Sequence, residues 1–189
     1  MSACKPVTTP LAEGMKLSLD PNQVPVDKGR YQRLVGRLMY LAHTRPDLSH
    51  ALSVVIHYMH DPGEQHMQAI MRILCYLKRS LGNGLLFRKN AHFGIERYTD
   101  AAWAGSIDDR RSTFGYFTFV GGNLLMWRSK KQNVVTWSSA EVEYRSMVLG
   151  ICELLWLKFL LQDLGVRHSQ PMKLFCDNKA ARDIAHNPV

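Results

Sequence analysis

Apolar positions in the first half of the chain recur at helical spacing, and from Gly84 onward they gather into short strand-like runs. Arg30 to Ala42 places Leu34, Leu38 and Leu41 on one face, as a 3.6-residue period requires. Thr44-Arg45-Pro46-Asp47 interrupts it, since a proline cannot continue a helix but can begin one. Leu48, Leu52, Val55 and Met59 form the next stripe. Asp61-Pro62-Gly63-Glu64 then predicts an N-cap at Asp61 with Pro62 at the first helical position. Met67, Ile70, Met71, Leu74 and Leu77 would face the core of that third helix, ended by Gly82 and Gly84. Residues 1–27 carry four prolines and little periodicity, and read as an extended, partly disordered leader.

Strands are expected at Leu85 to Phe87, Phe93 to Tyr98, Thr113 to Val120, Leu124 to Arg128, Val134 to Trp137 and Met172 to Cys176. Gly121-Gly122-Asn123 is hairpin punctuation, and Ser129 to Asn133 reads as a basic turn. A long helix from about Ser139 to Leu164 should be closed by Gly165 and capped at Ser138, with Glu141 reaching back. Glu141 also precedes Arg145 by one turn, a surface pair worth a few tenths of a kcal/mol. Met147, Gly150 and Leu154 follow Glu143 at i+4, i+7 and i+11. That spacing sets Glu143 at the head of the buried stripe.

An acid facing a sheet needs a compensating charge. A metal ion supplies one, and the competing reading is a salt bridge to Arg97 or Arg110. Asp100 ends the run at Tyr98, and Asp177 follows the strand at Cys176. Asp177 alone would be read as the cap of a final helix, Lys179 to His186. The order strand acid, hairpin, helix acid, strand acid brings three carboxylates to one spot. Hard oxygen ligands suit Mg²⁺ or Mn²⁺, and two such ions about 4 Å apart can activate water against a phosphodiester.

The net charge of +8 favours a polyanionic partner, most simply nucleic acid. No apolar run approaches the roughly 18 residues of a membrane span. The N-terminus lacks the apolar core of a signal peptide and carries no arginine before Arg30, so the expected location is cytoplasmic or nuclear and not secreted. Cys4, Cys75, Cys152 and Cys176 are widely spaced and read as reduced core thiols. His43, His50, His57, His60 and His66 lack a carboxylate or cysteine to complete a metal set and read as surface or interface histidines.

Four motifs carry a family resemblance. They are Tyr98 to Ser106, Asp108 to Thr113, Ser138-Ser139-Ala140-Glu141-Val142-Glu143-Tyr144 and Cys176-Asp177-Asn178. Together they resemble the RNase H domain of copia-type LTR retrotransposon Pol polyproteins. Tyr31 to Gly36 and Thr44 to Asp47 resemble the helical connection region between reverse transcriptase and RNase H in the same polyproteins. The resemblance implies an α/β fold: an RNase H-like mixed sheet with flanking helices, preceded by a small helical subdomain. The expected domains are a leader at 1–27, a thumb-like connection segment at 28–90 and an RNase H-like domain at 91–189. The implied activity is cleavage of the RNA strand of RNA–DNA hybrids, leaving a 3′-hydroxyl and a 5′-phosphate. Asp100, Glu143 and Asp177 take the first three acid positions, and would hold two Mg²⁺ or Mn²⁺ ions.

The family pattern has an acid where Ala102 stands, a basic or small polar residue at Trp137 and a small one at Phe114. It also continues past Val189 with a strand and helix that carry a fourth acid. The expectation is therefore a severed Pol segment with weakened cleavage, partnered by a hybrid and by other Pol-derived segments. The alternative is an inactive retroelement relic that at most binds nucleic acid. An integrase-like nuclease has its helix acid last in the chain, whereas Glu143 lies between Asp100 and Asp177.

Overall fold

Asp27 sets the start of α1 (Lys28–Leu41) by accepting the Arg30 N–H at 2.9 Å. In this computed structural model, which describes residues 4–166 and 170–187, the helix therefore begins two residues before the leucine spacing suggests. Its buried face is Tyr31, Val35 and Leu38, with Leu34 and Leu41 on the flank. The Tyr31 hydroxyl donates to Val55 O at 2.8 Å. A 3₁₀ turn, Pro46–Leu48, leads into α2 (Ser49–Ile56), as the proline predicts. Buried Arg45 forks onto Asp47 at 2.6 and 2.9 Å and reaches Ser80 O at 3.0 Å.

The start of α3 (Glu64–Arg79) differs from the expected one. Gly63 is the cap, and Asp61 and Pro62 lie outside the helix. The Gly63 N–H donates to Nδ1 of His66 at 2.9 Å. The imidazole acceptor thus fills the role a glutamate has in a capping box. His66 is wholly buried and stacks on Tyr58 at 3.9 Å, with Nε2 against Ser18 O at 3.2 Å. It is a structural histidine and not a surface one. The cap lies two residues later than expected, and the buried face is His66, Ala69, Ile70 and Ile73, with Met67, Leu74 and Leu77 packed on its flank.

The leader is extended but not disordered over its described residues. Tyr58 donates to Leu17 O at 2.7 Å, Gln65 to Ser18 O at 2.8 Å and Arg72 to Thr9 Oγ1 at 2.9 Å. Pro25 forms an isolated bridge with Gly63. These contacts satisfy backbone groups that a proline-rich segment cannot pair with itself. The cysteines are free, but none is in the core: Cys152 is exposed and the other three are half-buried. Cys75 and Cys152 lie off the buried stripes of their helices.

The chain divides into two units, Met1–Leu85 and Leu86–Val189. The second is built on β1 (Ile95–Ala102), β2 (Thr113–Val120), β3 (Asn123–Lys131) and β4 (Lys173–Cys176), in the order β3-β2-β1-β4. β4 is parallel to β1 and the other pairings are antiparallel. Gly121 and Gly122, at φ 56° and 75°, make the β2–β3 turn, where left-handed backbone is needed.

Four strand assignments change. β1 runs on to Ala102, so Asp100 sits inside the strand opposite Gly115 rather than beyond its end. β3 runs on to Lys131, which turns the expected basic turn into strand. Leu85 to Phe87 and Val134 to Trp137 form no strand; β propensity without a neighbouring ladder does not make one.

α4 (Ser139–Asp163) is capped by Ser138 Oγ, which accepts the Glu141 N–H at 3.1 Å. Glu141 reaches one residue further back than a standard box and accepts the Trp137 N–H at 2.8 Å. Its other oxygen meets Arg145 at 2.9 Å. Gly165 ends the helix at φ 79°. α4 packs on β1 with Val142, Glu143, Ser146, Gly150, Leu154 and Leu157 buried. Its opposite side is also apolar, with Trp156 and Phe159 exposed. α5 (Lys179–His186) is capped by Asn178, which accepts the Ala181 N–H at 2.9 Å. Among the described residues no helix is long and apolar enough to cross a membrane.

Candidate metal centre

Strand alternation directs Ile95, Arg97 and Thr99 of β1 toward α4. Arg97 is 1% exposed. Its guanidinium lies 3.7 Å from the centre of the Tyr116 ring and donates to Thr118 Oγ1 at 3.1 Å, with Glu153 at 3.4 Å. Gly150 passes directly over it, where an added Cβ would stand 3.2 Å from Arg97 Nε. Two helical turns earlier, Glu143 accepts the Ala101 N–H at 2.9 Å through Oε1. The helix is thus held to β1 at two points, and these fix which side of it faces the sheet.

Glu143 is 4% exposed. The salt bridge to Arg97 or Arg110 does not form, because Arg97 is spent on Tyr116, Thr118 and Glu153. No cation pairs with Glu143 among the described residues. Burial pushes its carboxyl pKa up, the Ala101 N–H opposes that, and the charges of Asp100 and Asp177 push it further up.

The parallel register sets Cys176 beside Thr99. Its thiol lies 3.7 Å from Glu143 Oε2. Burial, with the neighbouring acids, holds that thiol above its usual pKa. Asp177 comes next, and because Asn178 does the capping, the Asp177 carboxylate is left to the cluster. Glu143, Cys176 and Asp177 offer ligand atoms that all lie within 4.8 Å of one another. Asp100 is on the exposed face of β1. Its charge bears on Glu143, but its carboxylate is not part of that group of three. Cys176 went unread in the sequence, although alternation along β4 would have turned it to the same side as Leu174.

The donor set fits a divalent cation. A buried carboxylate lacks a neutralising partner, two further acids raise its pKa, and carboxylate oxygens are hard ligands. With Oε1 engaged by Ala101, Oε2 is the oxygen that faces the Cys176 thiol and the rest of the group.

No family model matches the chain. The whole chain matches the "Retrovirus-related Pol polyprotein from transposon RE1" of Arabidopsis thaliana at 43% identity and covers 13% of it. It likewise matches the "Retrovirus-related Pol polyprotein from transposon TNT 1-94" of Nicotiana tabacum at 41% identity and covers 15% of it. Among solved structures it is similar to a foamy viral protease-reverse transcriptase in complex with dsDNA. That likeness has a TM-score of 0.51 at 13% identity, covering 91% of this chain and 33% of that one. The fold is of the RNase H-like class, a mixed sheet with flanking helices that follows a small helical subdomain in the chain. Over its whole length the chain is similar to copia-type Pol polyproteins of retrotransposons, of which it spans about an eighth to a seventh.

Proposed function

We propose that the second unit is a ribonuclease H, hydrolysing the RNA strand of RNA–DNA hybrids with Asp100, Glu143 and Asp177 as the acids that hold two divalent ions. The observation that carries this reading is Glu143: a buried carboxylate beside Asp177, raised in pKa by Asp100 and Asp177, with no cation to neutralise it. Bound there, Mg²⁺ or Mn²⁺ would supply water activation and charge neutralisation at the phosphodiester. Ala101 N–H and the α4 backbone hold Glu143 rigid, so its orientation costs nothing when substrate arrives. The scissile P–O bond breaks toward the 3′-oxygen, leaving a 3′-hydroxyl and a 5′-phosphate. The basic surface attracts the polyanion, and the foamy viral relative in fold is itself bound to dsDNA.

A second reading, a retroelement relic that binds without cleaving, is favoured by one observation. Asp100 stands outside the close group formed by Glu143, Cys176 and Asp177.

A labelled RNA–DNA duplex incubated with the full chain and Mg²⁺ or Mn²⁺ separates the two. The expected result is RNA-strand cleavage that Asp100→Asn lowers about 10²-fold or more, the scale of losing one transition-state charge partner. A sample that unfolds cooperatively yet leaves the duplex intact would falsify the hydrolase and leave the relic.

A further inference from the structure

Trp137 is 92% exposed, yet the backbone that carries it is fixed on both sides. Its own N–H is held by Glu141 Oε2 at 2.8 Å. The preceding Thr136 is buried, and its hydroxyl meets Ser112 Oγ at 2.9 Å. The Thr136 carbonyl accepts the indole N–H of Trp103 at 3.0 Å. Trp103 is itself half-exposed and follows Asp100 by three residues. The peptide that carries Trp137 is therefore pinned between the residue just past β1 and the cap of α4. Glu143 begins about 8 Å along the helix from that cap, at 1.5 Å per residue. Glu141, which holds the Trp137 N–H, also meets exposed Arg145, and exposed Lys130 lines the same hollow as Glu141 and Arg145; exposed Arg111 precedes Ser112, the partner of Thr136.

A rigid, solvent-facing aromatic amid cations and next to carboxylates matches the surface of a polyanion that also presents apolar faces. We propose that Trp137 is a positioning and specificity-determining residue. Its indole would lie in the minor groove of an RNA–DNA hybrid against the sugars and set the register of the backbone over Asp100 and Glu143. An RNA strand makes that groove wide and shallow and lines it with 2′-hydroxyls, whereas the minor groove of B-form DNA is too narrow for an indole face. Trp103 buttresses Trp137 through Thr136 and widens the platform. This inference rests on the hydrolase reading only for its effect on turnover; the binding contact stands by itself.

The test measures fluorescence anisotropy of a labelled hybrid, and of duplex DNA of the same sequence, with the full chain and Ca²⁺ in place of Mg²⁺. Because Trp137 is almost fully exposed, its variants keep the fold, and each is checked by its unfolding midpoint. Trp137→Ala is expected to weaken hybrid binding about tenfold, the effect of losing one aromatic contact to nucleic acid. It should leave duplex DNA within about twofold, and Trp137→Phe should restore most of the affinity. Under cleavage conditions, KM should rise about tenfold while kcat stays within about twofold. Unchanged hybrid binding by Trp137→Ala, or equal loss on both duplexes, overturns the inference and leaves the hydrolase reading intact. Trp137-dependent binding without cleavage supports the contact and sinks the hydrolase instead. Binding to neither duplex sinks both.

Discussion

Gly150 is a position where an added methyl would crowd its neighbours. In an exposed helix, glycine to alanine gains about 1 kcal/mol. Here the new methyl would sit 3.2 Å from Arg97 Nε and 3.3 Å from Leu174 Cδ1. Gly150→Ala is therefore expected to destabilise by about 1–3 kcal/mol, as overpacked cores do, measured by urea unfolding. Pairing it with Arg97→Val should shrink the loss, since one of the two close neighbours is gone while Leu174 remains. An equal loss in both backgrounds would disprove the contact with Arg97.

Glu143 yields a pH prediction. Its folded pKa is raised above the ordinary 4.5, chiefly by burial. The fold therefore disfavours the charged form, and Glu143's contribution to metal-free stability is full below 4.5 and is lost as pH rises through the raised value. Glu143→Gln should flatten that dependence and raise the neutral-pH Tm while cleavage is lost. A lowered Tm at neutral pH would contradict it. At this scale the burial of Glu143 was legible, because it stands at the head of an apolar stripe. Arg97 was not. A cation in a strand reads as a partner for the nearest buried acid, and only packing reveals that Tyr116 and Glu153 claim it.

Caps decided where elements begin, and they were legible when the capping atom was a common one. Ser138 and Glu141 at α4 were read correctly, apart from Glu141 reaching Trp137. At α3 an imidazole took the acceptor's part, which no frequent motif announces. His66→Ala removes that acceptor, the contact to Ser18 and the stacking on Tyr58. The expected cost is about 2–3 kcal/mol. Because Ser18 belongs to the leader, amide exchange of residues 17–25 should accelerate as well; unaltered exchange there would mean that the leader is held independently. α4 shows the limit of periodicity as a guide. It is apolar on both sides, so hydrophobicity does not choose the face. The choice is made by one acid and one glycine, Glu143 and Gly150.

At the scale of the whole chain, the division at Leu85 and Leu86 falls in a stretch without helix or strand, from Gly82 to Phe93. Leu81, Leu86 and Phe87 are exposed there. From Arg88 onward the backbone is tied to Asn123, at 2.7 and 2.9 Å. Brief chymotrypsin treatment should cut first at Leu81 to Phe87 and release two fragments readable by mass. Early cuts inside α3 or β1 would contradict the division. Charge and the change from helical to strand-like pattern made two kinds of structure legible in order. The pairing of β4 with β1 was not, because parallel strands meet through a crossover that no local pattern encodes.

That pairing has a consequence for timing. Thr99 and Cys176 are partners across a gap of 77 residues, and ribosomes deliver them in that order. A nascent chain completes the β1–β2–β3 meander and can lay α4 on it while Asp177 is still to be made. Asp177 arrives only when β4 zips alongside β1, the slowest kind of contact to close. Synthesis thus works as a clock, leaving Glu143 without Cys176 and Asp177 beside it until β4 has been made.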